Sequence, residues 1–305
     1  MDERKTPIAG IMEFLCSKKR KHIVSALLVG CLIFNVIWIA DIFSAEGGKG
    51  AVYFLNVGQG DSEFIVFPSG AKILIDGGPP NGKAEQEISR IIGPFDRYID
   101  MVLLSHPQSD HFGGLVRLFE DYRVGAFLTN GEISNDSGYG ALQKNAQGQR
   151  VEQISVFGGD VIRQGDNIFR VLSPPISRTQ SDTKKENPND RAILGELSMS
   201  GGNILFTGDV GKNIESAVMA GLGSVDVLKV AHHGSKYSSG EDFISAIRPK
   251  IAIVEVGKNS YGHPSPDVLN RFLQAGTSLY RTDRDGTIKI TFEDGLARIF
   301  SLSSP

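Results

Sequence analysis

The sequence predicts a layered α/β domain in which two mixed β-sheets pack together and helices cover their outer faces. Two observations support this fold class. Short apolar strand segments come in meandering groups with helical segments between them, rather than in strict strand–helix alternation. Three of the apolar segments also run directly into clusters of His and Asp, so we expect these polar side chains to gather along one rim of the sheets.

The first element is an apolar segment, Ile23 to Ala40, which carries no formal charge over eighteen residues. This length can cross a bilayer as a helix. Because basic residues occupy positions 18–21, the positive-inside rule keeps the N-terminus in the cytoplasm and exports the residues after about 45. We expect a single-pass protein of the cell membrane, with a cytoplasmic tail (1–22), an anchor (23–44), a linker (45–50) and an exported domain (51–303). The alternative is a signal peptide cleaved near Ala45, which would secrete the domain.

Cysteine usage and charge narrow the chemistry of the exported domain. Both cysteines, Cys16 and Cys31, lie before or inside the apolar segment, so a metal site in the domain must use His and carboxylate ligands. The first 22 residues hold six Lys/Arg and three Asp/Glu, which leaves 26 and 32 for the remainder, a net charge of about −6. Composition therefore supplies no overall attraction toward nucleic acid.

Alternating and apolar segments bounded by Gly, Pro and Asn predict the strands and helices of the domain. The polar stretch 173–190, with three prolines, predicts a long surface loop. We expect strands at 51–57, 63–67, 72–75, 101–104, 126–129, 153–157, 167–172, 192–199, 203–206, 225–230, 251–256, 277–280, 287–292 and 297–300. We expect helices at 84–92, 114–122, 212–220 and 266–274.

The strand ending at Leu104 leads into a turn with two imidazoles and a carboxylate within six residues, namely His106, Asp110 and His111. Such residues can converge on one divalent metal, and Gly113 and Gly114 let the chain turn back close to the ion. The alternative is that His106 bonds a backbone carbonyl and that Asp110 and His111 only begin a helix.

Two further strand ends carry the same residue types. Gly208-Asp209 follows one apolar strand, and the pair His232-His233 follows another. Taken alone, Gly-Asp is a common turn dipeptide. Three such clusters in a chain with only six histidines favour a shared metal site over three independent structural roles.

The ordered series of motifs resembles the metallo-β-lactamase superfamily. It runs from Leu74-Ile75-Asp76-Gly77-Gly78 through the His/Asp turn and Gly208-Asp209 to the histidine pair. The resemblance is strongest to the extracellular hydrolase-like domain of ComEC-type DNA-uptake proteins and their stand-alone relatives. The features that carry it, over about residues 50–300, are Asn56–Ser62, Leu228–Ser235, Tyr261–Pro264 and Arg281–Gly286.

The resemblance implies an αββα sandwich with one or two divalent ions at its rim, zinc being expected first and manganese or iron also compatible. It places His106 in a first metal site. Asp110 and His111, with one or both of His232 and His233, would form a second site, and Asp209 would bridge the two. Asp76 would support the ligands from behind, and Asp61 and His263 would lie at the edge of the site.

This chain departs from the superfamily pattern in the first metal site. Position 108 is His in the wider superfamily and commonly Asp in the ComEC-like branch, but here it is Gln108, a poorer ligand for a divalent cation. No His occurs between positions 111 and 232. In its place stands Asn187-Pro188-Asn189-Asp190, from which Asn189 could supply an oxygen.

These features imply a membrane-anchored, exported hydrolase that uses a metal-activated water, with Asp110 or Asp209 orienting the water or accepting its proton. The expected substrate is a phosphodiester, either DNA or a cell-wall polymer. Ser235, Lys236 and Tyr237 would contact its phosphate, or would form an ordinary solvated loop. The alternative function is a binding or scaffold module with an incomplete metal site. A part in DNA uptake is a third hypothesis, although one apolar span cannot conduct DNA, and no protein partner can be deduced.

Overall fold

The structure is a computed structural model, and it describes residues 22, 25, 27–34, 50–175 and 187–302. The chain divides into two compact units, Met1–Gly48 and Lys49–Pro305. In the first unit, the described residues 27–34 are helical. Most of the predicted anchor at 23–44 lies outside the described residues. Across the part of the chain that is described, no helix has the length and apolar character needed to span a membrane. The structure gives the anchor no support, and it stays a prediction.

The second unit contains two mixed β-sheets. The first sheet has eight strands in the order β15-β14-β1-β2-β3-β4-β5-β6. In chain order these are β1 (Ala51–Phe54), β2 (Glu63–Val66), β3 (Lys72–Ile75), β4 (Tyr98–Leu104), β5 (Arg123–Thr129), β6 (Glu152–Ser155), β14 (Thr287–Glu293) and β15 (Leu296–Leu302). Strands β3 to β6 pair in parallel, whereas the other neighbours are antiparallel.

The second sheet has seven strands in the order β13-β12-β11-β10-β9-β8-β7. They are β7 (Val161–Gln164), β8 (Asn167–Ser173), β9 (Leu194–Met199), β10 (Gly202–Phe206), β11 (Val227–Lys229), β12 (Ile251–Val254) and β13 (Ser278–Arg281). Strands β10 to β13 pair in parallel. Both sheets are therefore mixed, as the sequence predicts.

Three apolar clusters hold four layers together. One cluster lies between the two sheets and includes Phe54 and Phe206, whose rings stack 6.0 Å apart. A second packs helices α1 (Lys83–Ile92), α2 (Ser109–Asp121) and α3 (Ser137–Gln149) on the outside of the first sheet. A third packs α4 (Lys212–Val218), α5 (Glu241–Ile247) and α6 (Pro266–Gln274) on the second sheet. A short helix, α7 (Thr282–Asp285), joins β13 to β14.

Several predicted elements differ from the structure. Helix α2 begins at Ser109, five residues before the predicted start, so Asp110 and His111 lie in its first turn. Helix α3 and strand β7 were not predicted, because α3 has a weak apolar pattern interrupted by glycines and β7 is a short, half-exposed strand. At the end of the predicted surface loop, Pro188–Arg191 forms a 3-10 turn that buries Asn189. Residues 176–186 of that loop lie outside the described part.

Parallel pairing brings the polar strand ends together. Because parallel strands end at the same edge of a sheet, the residues after β3 and β4 are neighbours, as are those after β10, β11 and β12. These positions hold Asp76, His106, Asp209, His233 and Glu255. The two sheets contribute their carboxyl-terminal edges to one buried site.

Candidate metal centre

The turn after β3 orients the histidine of helix α2. Asp76 adopts a left-handed backbone conformation with φ 53°, which is unusual for a residue other than Gly. Its carboxylate accepts hydrogen bonds from the backbone N–H of Ser105 at 2.7 Å and from Nδ1 of His111 at 2.8 Å. Since Nδ1 of His111 is engaged in this way, Nε2 is the ring atom available to a ligand.

The turn after β11 orients a second histidine. His232 and His233 both have left-handed backbones, with φ of 51° and 52°, and such strain is typical of functional sites. Gly234 follows with φ 80°, and a Cβ there would lie 2.6 Å from Cβ of Pro264. Nδ1 of His233 donates to the backbone carbonyl of Glu255 at 2.9 Å, so its Nε2 also points away from its anchoring partner.

Asp209 lies at the centre of the site. Its Oδ2 is 3.5 Å from Nε2 of His111, 3.8 Å from Nε2 of His233 and 3.7 Å from Nε2 of His232. Gly208 before it has φ 48°, and a Cβ there would sit 3.1 Å from Cβ of Ala192. Asp209 is only 1% exposed, so a full negative charge is held here away from water.

Among the described residues, several buried atoms around this site lack a hydrogen-bond partner, and five of them belong to side chains that can bind a divalent transition metal. Four are Nε2 of His106, His111 and His233, and Oδ1 of Asp209, and the fifth is Oδ1 of Asp61. Buried polar atoms are normally paired, so such a group of orphans calls for an explanation. Ligand atoms of His106, His111 and Asp209 lie within 4.8 Å of one another, as do those of Asp110, His111 and His233. Imidazole nitrogen and carboxylate oxygen at this separation fit a metal ion.

The electrostatics of the site also fit a cation. Burial alone would raise the pKa of Asp209, but the charges of His111 and His233 outweigh it and lower that pKa well below its usual range. Burial likewise opposes protonation of His233, yet Asp209 and Asp61 raise its pKa to about 10. The buried carboxylates thus draw positive charge into the site. A metal ion would supply it in place of the histidine protons.

The two predicted halves of the site differ. Asp110, His111 and His233 come together, with Oδ2 of Asp110 3.4 Å from Nε2 of His233. In the other half, His106 is buried, and burial followed by the charge of His111 lowers its pKa to about 4. Gln108 donates from Nε2 to Oδ1 of Asn189, so the two side chains are bonded to each other.

His232, predicted as a partner of His233, lies close to Asp209 but is more exposed than His233. It is 27% exposed, and Nδ2 of Asn189 lies 3.5 and 3.4 Å from its two ring nitrogens. The donor group that includes Asp110 and His111 contains His233 and not His232. Of the histidine pair, His233 is therefore the candidate ligand that the buried cluster includes.

A cavity of about 660 Å³ opens beside the centre. His263 lines it, as predicted for an edge residue, and so do Gln59, Tyr261 and Asp136. Ser235, Lys236 and Tyr237 are absent from the described residues that line this cavity. Ser235 is buried, and Nζ of Lys236 lies 5.1 Å above the ring of Tyr237. Their predicted contact with a substrate phosphate stays a prediction.

Asp61 lies beneath the site rather than at its predicted edge. It is fully buried, 3.2 Å from Nδ1 of His233, and paired with Lys229. Lys229, Glu63 and Glu255, all buried, are supporting residues that were not predicted from the sequence. Each stands in or directly after a strand with apolar residues at most other positions, and that interruption was the available signal.

Comparison with known proteins identifies relatives of this chain. A sequence model of the metallo-beta-lactamase superfamily matches residues 55–257. ComE operon protein 3 of Bacillus subtilis is 29% identical over 316 residues, covering 97% of this chain and 40% of that protein. Recombination protein 2 of Haemophilus influenzae is 31% identical over 242 residues, with coverage of 78% and 28%. Competence protein ComA of Neisseria gonorrhoeae is 28% identical over 248 residues, with coverage of 79% and 32%.

The chain spans less than half the length of these curated relatives. Among solved structures, the metallo-beta-lactamase fold protein YhfI of Bacillus subtilis matches with a TM-score of 0.53 at 10% identity, over 79% of this chain and 99% of that protein. At this identity the likeness shows the fold alone. The predicted sandwich fold and the resemblance to competence proteins are both confirmed.

Proposed function

Since the chain belongs to the metallo-beta-lactamase superfamily of metal-dependent hydrolases, we propose that it hydrolyses phosphodiesters, with DNA as the first substrate to test. The observation that carries the proposal is the set of four unpartnered, buried ligand atoms on His106, His111, His233 and Asp209. In a scaffold that binds no metal, each of these buried unsatisfied polar atoms would destabilise the fold, so we would expect them to be hydrogen-bonded or replaced by apolar groups.

The residues present fit a divalent metal ion. Asp110, His111 and His233 would hold it together with Asp209, and His106 would serve a second ion if one binds. Such an ion supplies Lewis acidity, which lowers the pKa of a water molecule and polarises the scissile group. Zinc is proposed first because imidazole and carboxylate are its usual ligands, and the same ligands accept manganese or iron.

The side chains around these ligands fix their orientation. Asp76 holds the ring of His111, and the carbonyl of Glu255 holds the ring of His233. Of the carboxylates of Asp110 and Asp209, that of Asp110 is 32% exposed and lines the cavity, whereas that of Asp209 is 1% exposed. Burial would raise the pKa of Asp110, but its hydrogen bond to His233 and the charge of His111 outweigh it and lower that pKa below its usual range. Asp110 therefore stays ionised and can accept a hydrogen bond that orients a water molecule in the cavity.

The substrate class rests on the cavity and on the relatives. Among the described residues that line the cavity there is no lysine or arginine, so a phosphodiester would meet positive charge chiefly at the metal. Two relatives carry the names of a competence protein and a recombination protein, which supports DNA over a cell-wall polymer as the first candidate. The proposed location is outside the cell membrane, anchored by the segment at 23–44 or released from it by cleavage.

Metal analysis coupled to hydrolysis tests this function. The full chain would be loaded with zinc, manganese or iron, dialysed, and assayed on bis(p-nitrophenyl) phosphate and on single-stranded DNA. We expect at least one ion per chain and hydrolysis that is lost in Asp110→Ala. Asp136→Ser is the matched control, because it removes a carboxylate from the same cavity while keeping a side-chain oxygen at the N-cap of α3. Equal activity of Asp110→Ala and the unsubstituted chain would refute the assignment.

One observation favours a second candidate, a binding or scaffold module with little activity. Gln108 and Asn189 bond to each other at the position where a first metal site is expected, so in the described residues that half of the centre depends on His106 and on ligands shared with the other half. A chain that retains no metal after loading, yet binds single-stranded DNA, would support this alternative.

A further inference from the structure

We propose that Lys229 is a positioning residue of the metal centre, whose ammonium group keeps the carboxylate of Asp61 behind the ligand histidines and holds the turn that presents Asp209. This inference rests on the proposed metal-dependent function. The predicted ligand set does not include a lysine at the end of β11.

Lys229 is a fully buried cation with three polar neighbours. Its Nζ forms an ion pair with Oδ2 of Asp61, donates to the carbonyl of Gly208 at 3.0 Å, and lies 3.9 Å from Oδ1 of Asp209. A lysine ammonium has three hydrogen-bond donors, and burying its charge is unfavourable unless it is paired with an anion or with hydrogen-bond acceptors. Burial alone would lower the pKa of Lys229, but Asp61 and Asp209 raise it above its ordinary value, so the side chain stays charged.

Asp61 lies on the side of the histidine rings opposite to the orphaned nitrogens. Its Oδ1 is 3.2 Å from Nδ1 of His233, and its Oδ2 is 3.8 Å from Nδ1 of His111. It also falls within 4.8 Å of ligand atoms of Asp209 and His233, so by distance alone it is a competing metal ligand. The ion pair commits Oδ2 of Asp61 to the ammonium of Lys229 and so holds this carboxylate on the Nδ1 side of the histidine rings. Oδ1 of Asp61 stays 3.2 Å from Nδ1 of His233, whose hydrogen bond goes to the carbonyl of Glu255.

Lys229 also supports Asp209 through the backbone. The turn at Gly208 has a left-handed φ of 48°, and its carbonyl is held by Nζ of Lys229. A hydroxyl of the same turn, that of Thr207, donates to the carbonyl of Lys229 at 2.6 Å. Main-chain and side-chain bonds from one residue thus fix the turn on both sides, which sets the direction of the Asp209 carboxylate.

A charge-removal series on the full chain tests the proposal. Lys229→Met keeps the length of the side chain and removes its charge, Asp61→Asn removes the charge of its partner, and a third variant combines both. Lys250→Met is the matched control, because Lys250 makes an ion pair of 2.7 Å with Asp226 on the surface of the same sheet. Each variant would be titrated with Co²⁺ in competition with a chelator, and the visible absorption of bound Co²⁺ would report its ligand geometry.

We expect Lys229→Met to bind Co²⁺ roughly 10- to 100-fold more weakly, as is typical when a residue that supports metal ligands is lost. Its Co²⁺ spectrum should change, because Asp61 is then free to enter the ligand set. The double variant, which adds Asp61→Asn, should bind Co²⁺ at least tenfold more tightly than Lys229→Met, out of the roughly 10- to 100-fold that was lost. Its spectrum should return toward that of the unsubstituted chain. Lys250→Met should match the unsubstituted chain in both readouts.

Three results would overturn the proposal. The first is unchanged affinity and spectrum in a folded Lys229→Met, and the second is a double variant no better than Lys229→Met. The third is failure of both Lys229→Met and the double variant to fold, judged by circular dichroism, which would make Lys229 a requirement of folding. If the unsubstituted chain bound no Co²⁺ or Zn²⁺, the metal-dependent function itself would be refuted, and the role of Lys229 with it.

Discussion

Gly114→Ala tests how closely helix α2 must approach the turn after β3. A Cβ at Gly114 would lie 2.0 Å from the carbonyl oxygen of Gly77, whereas an ordinary contact needs about 3.4 Å. The backbones are also tied together, because the N–H of Gly77 donates to the carbonyl of His111 at 2.7 Å and the N–H of Gly114 donates to the carbonyl of Gly78 at 2.9 Å. The added methyl group therefore cannot be absorbed by rotation of a side chain.

Relief of this clash requires α2 and the turn to separate by about 1.4 Å, the difference between the two distances. The bond of 2.8 Å between His111 and Asp76 spans the same gap, and a hydrogen bond does not survive that increase. Overpacking of this kind costs about 1–3 kcal/mol. For a unit of this size we expect the melting temperature to fall by about 2–12 °C. Metal affinity should fall roughly 10- to 100-fold, because His111 loses its orientation.

Gly148→Ala is the matched control, because Gly148 lies in helix α3 and, apart from its chain neighbours and the nearby backbone of that helix, no described atom lies within 4 Å of the place that its added methyl group would take. It should stabilise the chain by about 1 kcal/mol, the usual advantage of Ala over Gly in a helix. Thermal unfolding with chelator present measures stability alone, since bound metal would add to it. Chelator competition then measures affinity. If Gly114→Ala were as stable as Gly148→Ala and bound metal equally well, the close approach would have no role in building the site.

Three further predictions follow from the site and its surroundings. His233→Ala should weaken Zn²⁺ binding more than about 100-fold, and His232→Ala less than about tenfold, in chelator competition, because of these two histidines it is His233 whose Nε2 is buried and unpartnered. Gln108→His should raise the zinc content measured by elemental analysis toward two ions per chain, whereas an unchanged content would show that Gln108 does not limit it. Burial, opposed by Arg117, raises the pKa of Glu85 to about 7, so the folded chain loses stability as the pH rises through that value. In urea unfolding at pH 8, the free energy of unfolding of Glu85→Gln should therefore be higher than that of the unsubstituted chain. This difference should shrink as the pH is lowered toward 4.5.

The sequence predicted the strand ends of the site well, because apolar strands followed by His or Asp mark where buried segments meet the rim. It misjudged the role of the glycines after His111. Their predicted role was to turn the chain back toward the ion, but Gly113 and Gly114 lie inside α2 and face the turn at Gly77–Pro80. No local pattern could show this, because the contact joins segments about 35 residues apart. The same limit applies to Lys229, whose partner Asp61 is 168 residues away.

The two halves of the centre differ in the hydrogen bonds that orient their candidate ligands, and this difference bears on how many ions the chain holds. His111 and His233 each have Nδ1 fixed by a buried acceptor, so their free Nε2 atoms are preorganised as ligands. His106 has only the hydroxyl of Ser105 at 3.0 Å, and that hydroxyl already donates to Asp76. Beside it, the amides of Gln108 and Asn189 satisfy each other, so a second ion would have to break that bond to gain neutral oxygen ligands. The geometry therefore favours tight binding of one ion by the Asp110 half, with a second ion weaker and dependent on the side chain at position 108.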